Sequence, residues 1–323
     1  MISSPETKLL ELYIRLAGGV FLGWILGYIL PKSVPVRLGQ FLFWVGVPIG
    51  IVAFLRRTNL SGPIWIAPLA AWGATFLGLG LAWSWIKGTG NWGWERVRET
   101  ETTAENSSRR QAQGSFLLAS MVGNTGYLGY PITLALVGQE YFGWALFYDL
   151  LGSVFAGYGL GVALAVRFGM GANSNAQVIT TVLKTPALWS FGLGLLLRPL
   201  SLPESVDVTI EKIGWATIAF CLVLIGMRLS QLSSWRGIKQ ASISLGIKML
   251  LVPLILGYLL RSLGLNGAPL LVIVLQMAMP PAFATLIVAE AYNLDRDLAV
   301  AALAIGSAGL FFTLPIWLWL FGI

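Results

Sequence analysis

An all-α polytopic membrane protein, ten spans arranged as two inverted five-helix repeats, is the fold this sequence predicts. Three observations lead there. The 323 residues are 56% hydrophobic and 11% charged, with a mean hydropathy of +0.77, whereas a soluble domain carries roughly 25% charged residues. The apolar runs are continuous and reach the ~20 residues that cross a bilayer as helix; strands of a membrane barrel would instead alternate every second residue. Finally, two of the runs are interrupted by Gly, Pro and amide residues, each in the fourth span of its half.

In chain order the spans fall at about 9–30, 39–55, 62–86, 114–137, 141–167, 186–202, 208–230, 240–262, 266–291 and 297–321. The segment from Met1 to Leu30 has no basic leader and carries Glu6 and Glu11, so it reads as a retained first helix, not a cleaved signal. The sixth span is short and contains Arg198 and Pro199. The one long polar connection, 87–111, contains "RVRETETTAENSSRR" and reads as a solvated, mobile cytoplasmic loop. The chain is thus a single membrane domain, 1–323, with one repeat over about 9–167 and the other over about 184–321. "LPKSV" at Leu30–Val34, after span one, matches "LPESV" at Leu202–Val206, after span six. Five spans per half is an odd number, so the second half enters the membrane from the opposite side, an arrangement common among secondary transporters.

The charge balance fits a membrane protein. A net charge of +7 and a pI near 9.7 do not point to nucleic acid, because the basic residues sit in short loops and form no stripe on a soluble face. Thirteen Lys and Arg fall on one side of the ten-span layout and seven on the other. The richer side is expected to be cytoplasmic, which leaves both termini outside the inner membrane. There is no histidine, which removes His-based acid–base chemistry and His-ligated metal. The single cysteine, Cys221, lies in an apolar segment and reads as a packing residue. With no Walker motif, no Gly-x-Ser-x-Gly run and no paired intramembrane aspartates, no catalytic constellation, metal site or cofactor is expected.

The interrupted spans carry the functional argument. Span four holds "GNTGYLGYP", Gly123 to Pro131, and span nine holds "LQMAMPPAF", Leu275 to Phe283. Gly and Pro both weaken a helix, and each Pro removes a backbone donor. A break in hydrocarbon is costly unless its freed groups meet protein, water or ligand. Two breaks at corresponding places are the best sequence pointer to a transporter binding site, and half-helix N-termini suit an anion. The candidates are Asn124, Thr125, Gly126, Gly129 and Pro131 in the first break, with Gln276, Met279, Pro280 and Pro281 in or just before the second.

"GNTGYLGYP" together with "MPPAFATLIVAEAYNLDRDLA", Met279 to Ala299, resembles the auxin efflux carrier family, bacterial type, as does the ten-span layout. The resemblance implies two inverted five-helix repeats, split into a scaffold and a transport domain. Two broken helices, four and nine, would cross beside the substrate, with Asn124 to Pro131 forming one crossing and Met279 to Pro281 the other. It implies a small organic anion, a carboxylate, as substrate, and a homodimer as the common assembly. The connection from Arg167 to Lys184 is short, unlike the long central loop of many plant members.

Two charged residues inside spans are coupling candidates. Asp149 sits eight residues into span five, about 12 Å deep at 1.5 Å per residue. A carboxylate there faces protein or a water-filled cavity; it is a coupling site, a partner of broken-helix backbone or a neutral acid. Lys248 in span eight could pair with a carboxylate or attract the solute, and snorkelling to the interface is the simpler expectation. Sodium-coupled uptake of the bile-acid-symporter type is the alternative, although Val272 stands where an acidic residue would be expected; a channel or sensor is the competing class.

Overall fold

The computed structural model describes residues 5–60, 62–88, 103–169, 186–230 and 237–322. Those residues are helical nearly throughout: α1 is Pro5–Ile29, α2 Ser33–Arg56, α3 Ile66–Gly88, α4 Thr103–Met121, α5 125–136, α6 142–168, α7 Pro186–Leu197, α8 Glu204–Ser230, α9 Ile238–Ser262, α10 Gly267–Met277, α11 Phe283–Ala291 and α12 Arg296–Phe321. Five of them, α2, α3, α8, α9 and α12, are long and apolar enough to cross a membrane unaided. Large apolar side chains stand on the outer surface, Phe312 at 80% and Trp319 at 83% exposure. On a chain this hydrophobic, such exposure is that of a multi-pass membrane protein whose solvent is lipid.

Several helices contain a widened turn, and the sequence explains three of them. The π-type turns Leu42–Gly46, Thr125–Gly129 and Gly246–Leu251 each stand just ahead of a proline, Pro48, Pro131 and Pro253. A proline ring inside a helix clashes with the carbonyl four residues back and offers it no donor. Widening the turn to i→i+5 bonding relieves both problems without ending the helix. In α6 the turns Asp149–Ser153 and Ala156–Gly161 arise with no proline, in a stretch containing Gly152, Gly157, Gly159 and Gly161.

Packing sorts the helices into two groups. In one, α8 runs along α1 and α2, and α2 also holds α7. In the other, α3 packs on α4 and α6, α9 on α10 and α12, and α12 on α4. The α1–α8 contact is backbone on backbone. A Cβ on Gly23 would lie 2.0 Å from the Val223 carbonyl oxygen, and one on Gly226 would lie 1.9 Å from that of Val20. Small residues at helix-repeat spacing are how membrane helices approach this closely. The driest core lies along α10, where Val272, Ile273, Val274 and Leu275 are wholly buried.

Two expectations about elements need correction. The stretch 87–111 is not loop throughout: α3 reaches Gly88 and α4 already begins at Thr103. Extending a nucleated helix is cheap per residue, and tertiary contacts hold this extension. The Gln111 carbonyl accepts from the Asp295 backbone N–H at 3.3 Å, and Arg110 donates to the Arg167 carbonyl at 2.7 Å. Span six ends at Leu197, just ahead of Arg198 and Pro199. The rest of the polar connection (89–102), most of the 167–184 link and Arg236 lie outside the described residues.

Candidate functional site

The two interruptions lie against each other. Gly123 and Pro281 form an isolated antiparallel bridge. The Asn124 N–H donates to the Pro280 carbonyl at 2.7 Å, and the Ala282 N–H donates to the Val122 carbonyl at 3.0 Å. Backbone groups released by each break therefore satisfy the other, as buried peptide groups must be satisfied somewhere.

Beyond the bridge each chain re-enters a helix. Asn124 caps α5: its side-chain oxygen accepts from the Tyr127 N–H at 3.2 Å, and its carbonyl accepts from Gly129 at 3.1 Å. The side-chain NH2 of Asn124 makes no hydrogen bond among the described residues. The α11 helix starts at Phe283 after Ala282, which provides no side-chain cap. Both N-termini border one cleft of about 120 Å³, lined by Asn124, Thr125, Gly126 and Tyr127 from α5, Asp149, Ser153 and Gly157 from α6, and Ala282, Phe283 and Ala284 at α11. Two other cavities measure about 20 Å³ each, so of the three this cleft has the most room for an organic ion.

Asp149 sits at the wall of the cleft with both carboxylate oxygens engaged. Thr125 donates its hydroxyl to Oδ1, and Tyr130 donates to Oδ2 at 2.7 Å. Thr125 and Tyr130 are five residues apart in an i→i+5 turn, which stacks them on one side where a regular α-turn would not. Asp149 is thus tied to α5 side chains, with no described bond from its carboxylate to the broken backbone.

The other candidates lie behind the cleft. Gln276 is wholly buried, donating Nε2 to the Thr133 hydroxyl at 3.1 Å while its Oε1 has no partner. Gly129 makes room for it: a Cβ there would lie 2.2 Å from that Oε1. Pro131 lines one of the small cavities, and Met279 is wholly buried in the core. Pro280 and Pro281 belong to the bridge. Lys248 does not snorkel. It is 2% exposed and donates Nζ to the Met277 carbonyl at 2.7 Å, an acceptor that the end of α10 leaves unbonded within the helix.

Sequence reasoning missed Tyr130, Tyr127 and Phe283. Tyr127 and Tyr130 were within the quoted motif, but an α-helical reading gives Tyr130 no reason to meet Asp149. Phe283, a cleft residue at the start of α11, carries the Arg228 guanidinium 4.7 Å from its ring centroid, a contact between distant segments that no local pattern announces.

Comparison with known proteins points to membrane transport. Residues 169–318 match the family model described as membrane transport protein. An uncharacterized transporter of Methanothermobacter thermautotrophicus is 27% identical over 320 residues, 98% of both chains. One from Methanocaldococcus jannaschii is 27% identical over 212 residues, 64% of this chain and 68% of the relative. The uncharacterized transporter YfdV of Escherichia coli K12 is 28% identical over 149 residues, 46% of this chain and 47% of its own. With the family model matching most of the second half and a relative aligned from end to end, the chain is similar to membrane transport proteins of the auxin efflux carrier type.

Proposed function

We propose that this chain is a secondary or facilitative carrier that exports a small organic carboxylate by alternating access. In this reading ten spans form two inverted five-helix repeats that cross at Gly123 and Pro281, and both termini lie outside the inner membrane. One observation carries it: the N-termini of α5 and α11 converge on the cleft that also holds Asn124. Each helix N-terminus carries about half a positive charge, so the pair attracts an anion, and the uncommitted amide NH2 of Asn124 supplies a directed donor. Asp149, on the same cleft, is the coupling candidate, since an arriving anion interacts directly with its charge. An inwardly negative potential favours anion export by about 2.3 kcal/mol per charge per 100 mV.

The test is a thermal-shift screen of purified protein against mono- and dicarboxylates, followed by counterflow in proteoliposomes. A carboxylate should raise Tm and show saturable counterflow. Asn124→Ala should abolish both, at a stability cost of about 1 kcal/mol for the lost cap. Asn124→Asp keeps the capping oxygen but removes the NH2, and should also lose the carboxylate. Unchanged affinity in both variants would refute the site, and non-saturating ohmic current would favour a channel.

A further inference from the structure

The crossing has a second electrostatic side, opposite in sign to the cleft. Besides two N-termini, the broken helices bring two C-termini together: α4 ends at Met121 and α10 at Met277, one on each side of the Gly123–Pro281 bridge. Each C-terminus carries about half a negative charge on carbonyls that the helix leaves unbonded. Some of these are met by backbone, as when Ala278 donates to Val274 at 2.9 Å. The Met277 carbonyl is met by the Lys248 Nζ at 2.7 Å.

Lys248 is built into this position. It lies in the widened turn Gly246–Leu251 of α9 and is 2% exposed. Among the described residues no carboxylate forms an ion pair with it. Its place depends on the first break as well: a Cβ on Gly123 would lie 3.1 Å from both Cε and Nζ of Lys248, and 3.3 Å from the Met279 carbonyl oxygen. The lysine head thus lies beside the bridging glycine and against the end of the opposite half-helix. In ion-coupled carriers, unwound carbonyls and half-helix C-terminal ends are where a sodium ion is coordinated.

We propose that the Lys248 ammonium is a tethered cation that fills the cation site formed by the C-terminal ends at the crossing, so that removing the side chain opens that site to small cations from solution. A charge held there neutralises the negative ends and leaves the positive N-terminal ends free for the solute. The consequence for transport rests on the carrier reading above, and it makes solute movement independent of sodium. The occupancy of the site does not need that reading, and its test uses no solute.

The experiment measures thermal unfolding of purified wild type, Lys248→Ala and Lys248→Met in sodium, methylammonium, ethylammonium or choline chloride at equal ionic strength. Wild type should respond alike to all four salts. Lys248→Ala should unfold at lower temperature and recover saturably in sodium or the small alkylammonium ions but not in choline. Lys248→Met, whose chain fills the space without charge, should be destabilised and recover in none. A wild-type protein stabilised by sodium over choline would overturn the proposal. So would a Lys248→Met variant as stable as wild type, or a Lys248→Ala variant without cation-specific recovery. If Lys248→Ala does not fold, the wild-type and Lys248→Met measurements still decide the matter. A failed carboxylate screen would leave these outcomes untouched, which keeps the two ideas separable.

Discussion

At the residue scale, the most consequential side chain is Asp149, because both its oxygens are committed to hydroxyls of one half-helix. Hydrogen bonds to a charged group contribute about 1.5–3 kcal/mol each. Tyr130→Phe removes one of these donors and should destabilise by an amount in that range. Asp149→Asn disturbs both and should cost more. A double-mutant cycle of the two, read by thermal or chemical unfolding, should give a coupling of about 0.5–3 kcal/mol; additivity would mean that the contact contributes nothing. Gly129 is a second sensitive position. Gly129→Ala drives a methyl into the buried Gln276 amide and should cost about 1–3 kcal/mol as overpacking. Adding Gln276→Ala removes the obstacle, so the double variant should be more stable than the sum of the singles. Asn124 was identifiable from sequence as a polar residue in a break, whereas the roles of Tyr130 and Gln276 were set by partners 19 and 143 residues away.

At the element scale, the breaks themselves were legible. "GNTGYLGYP" and "MPPAF" announce lost donors and weak helix, and the structure interrupts both helices there, at 122–124 and 278–282. Less legible was the compensation. Prolines 48 and 253 sit inside continuous spans and Pro131 inside the half-helix α5, and widened turns absorb all three, so the same residue type that marks a break at 280 and 281 merely loosens a helix elsewhere. Whether a proline breaks or bends depends on what neighbouring chains offer the freed carbonyl. The α1–α8 contact is another element-scale feature, built from glycines at 23 and 226. Gly226→Val would force side-chain atoms against the Val20 carbonyl and should destabilise by at least the upper end of about 1–3 kcal/mol. Val206→Ala, on the same helix and partly exposed, should do much less.

At the scale of the whole molecule, a polar cluster around Arg56 and Thr58 knits α2, α7 and α8 together and ties them to the α5–α6 turn. Arg56 from α2 pairs with Asp207 of α8 at 3.1 Å and donates to the carbonyls of Leu197 and Leu200. Thr58 donates to the Gln139 carbonyl at 2.8 Å and accepts from the Gly143 N–H at 2.8 Å, while Gln139 donates to Glu211 at 2.9 Å. This ties the α5–α6 turn to α2 and α8. Asp207→Ala leaves the Arg56 guanidinium, only 7% exposed, with the Leu197 and Leu200 carbonyls but without its counter-charge, and should cost about 1.5–3 kcal/mol, measurable as a lowered unfolding temperature. On the carrier reading the Thr58–Gln139 and Gln139–Glu211 contacts, which tie the α5–α6 turn to α2 and α8, close one side of the crossing and must part when that side opens. Counterflow in a Gln139→Ala variant should therefore change in rate while carboxylate affinity, set at Asn124, stays near that of wild type.

Composition and the placing of Gly and Pro by themselves determined that this chain is a helical membrane protein with two interrupted spans, because burial in lipid and the loss of a backbone donor are local costs written residue by residue. Only the tertiary structure decided that the breaks satisfy one another across the Gly123–Pro281 bridge, that Asp149 answers to Thr125 and Tyr130, and that Lys248 turns inward to the end of α10. Those outcomes depend on which distant donor reaches which acceptor first, and no short-range pattern encodes that distance.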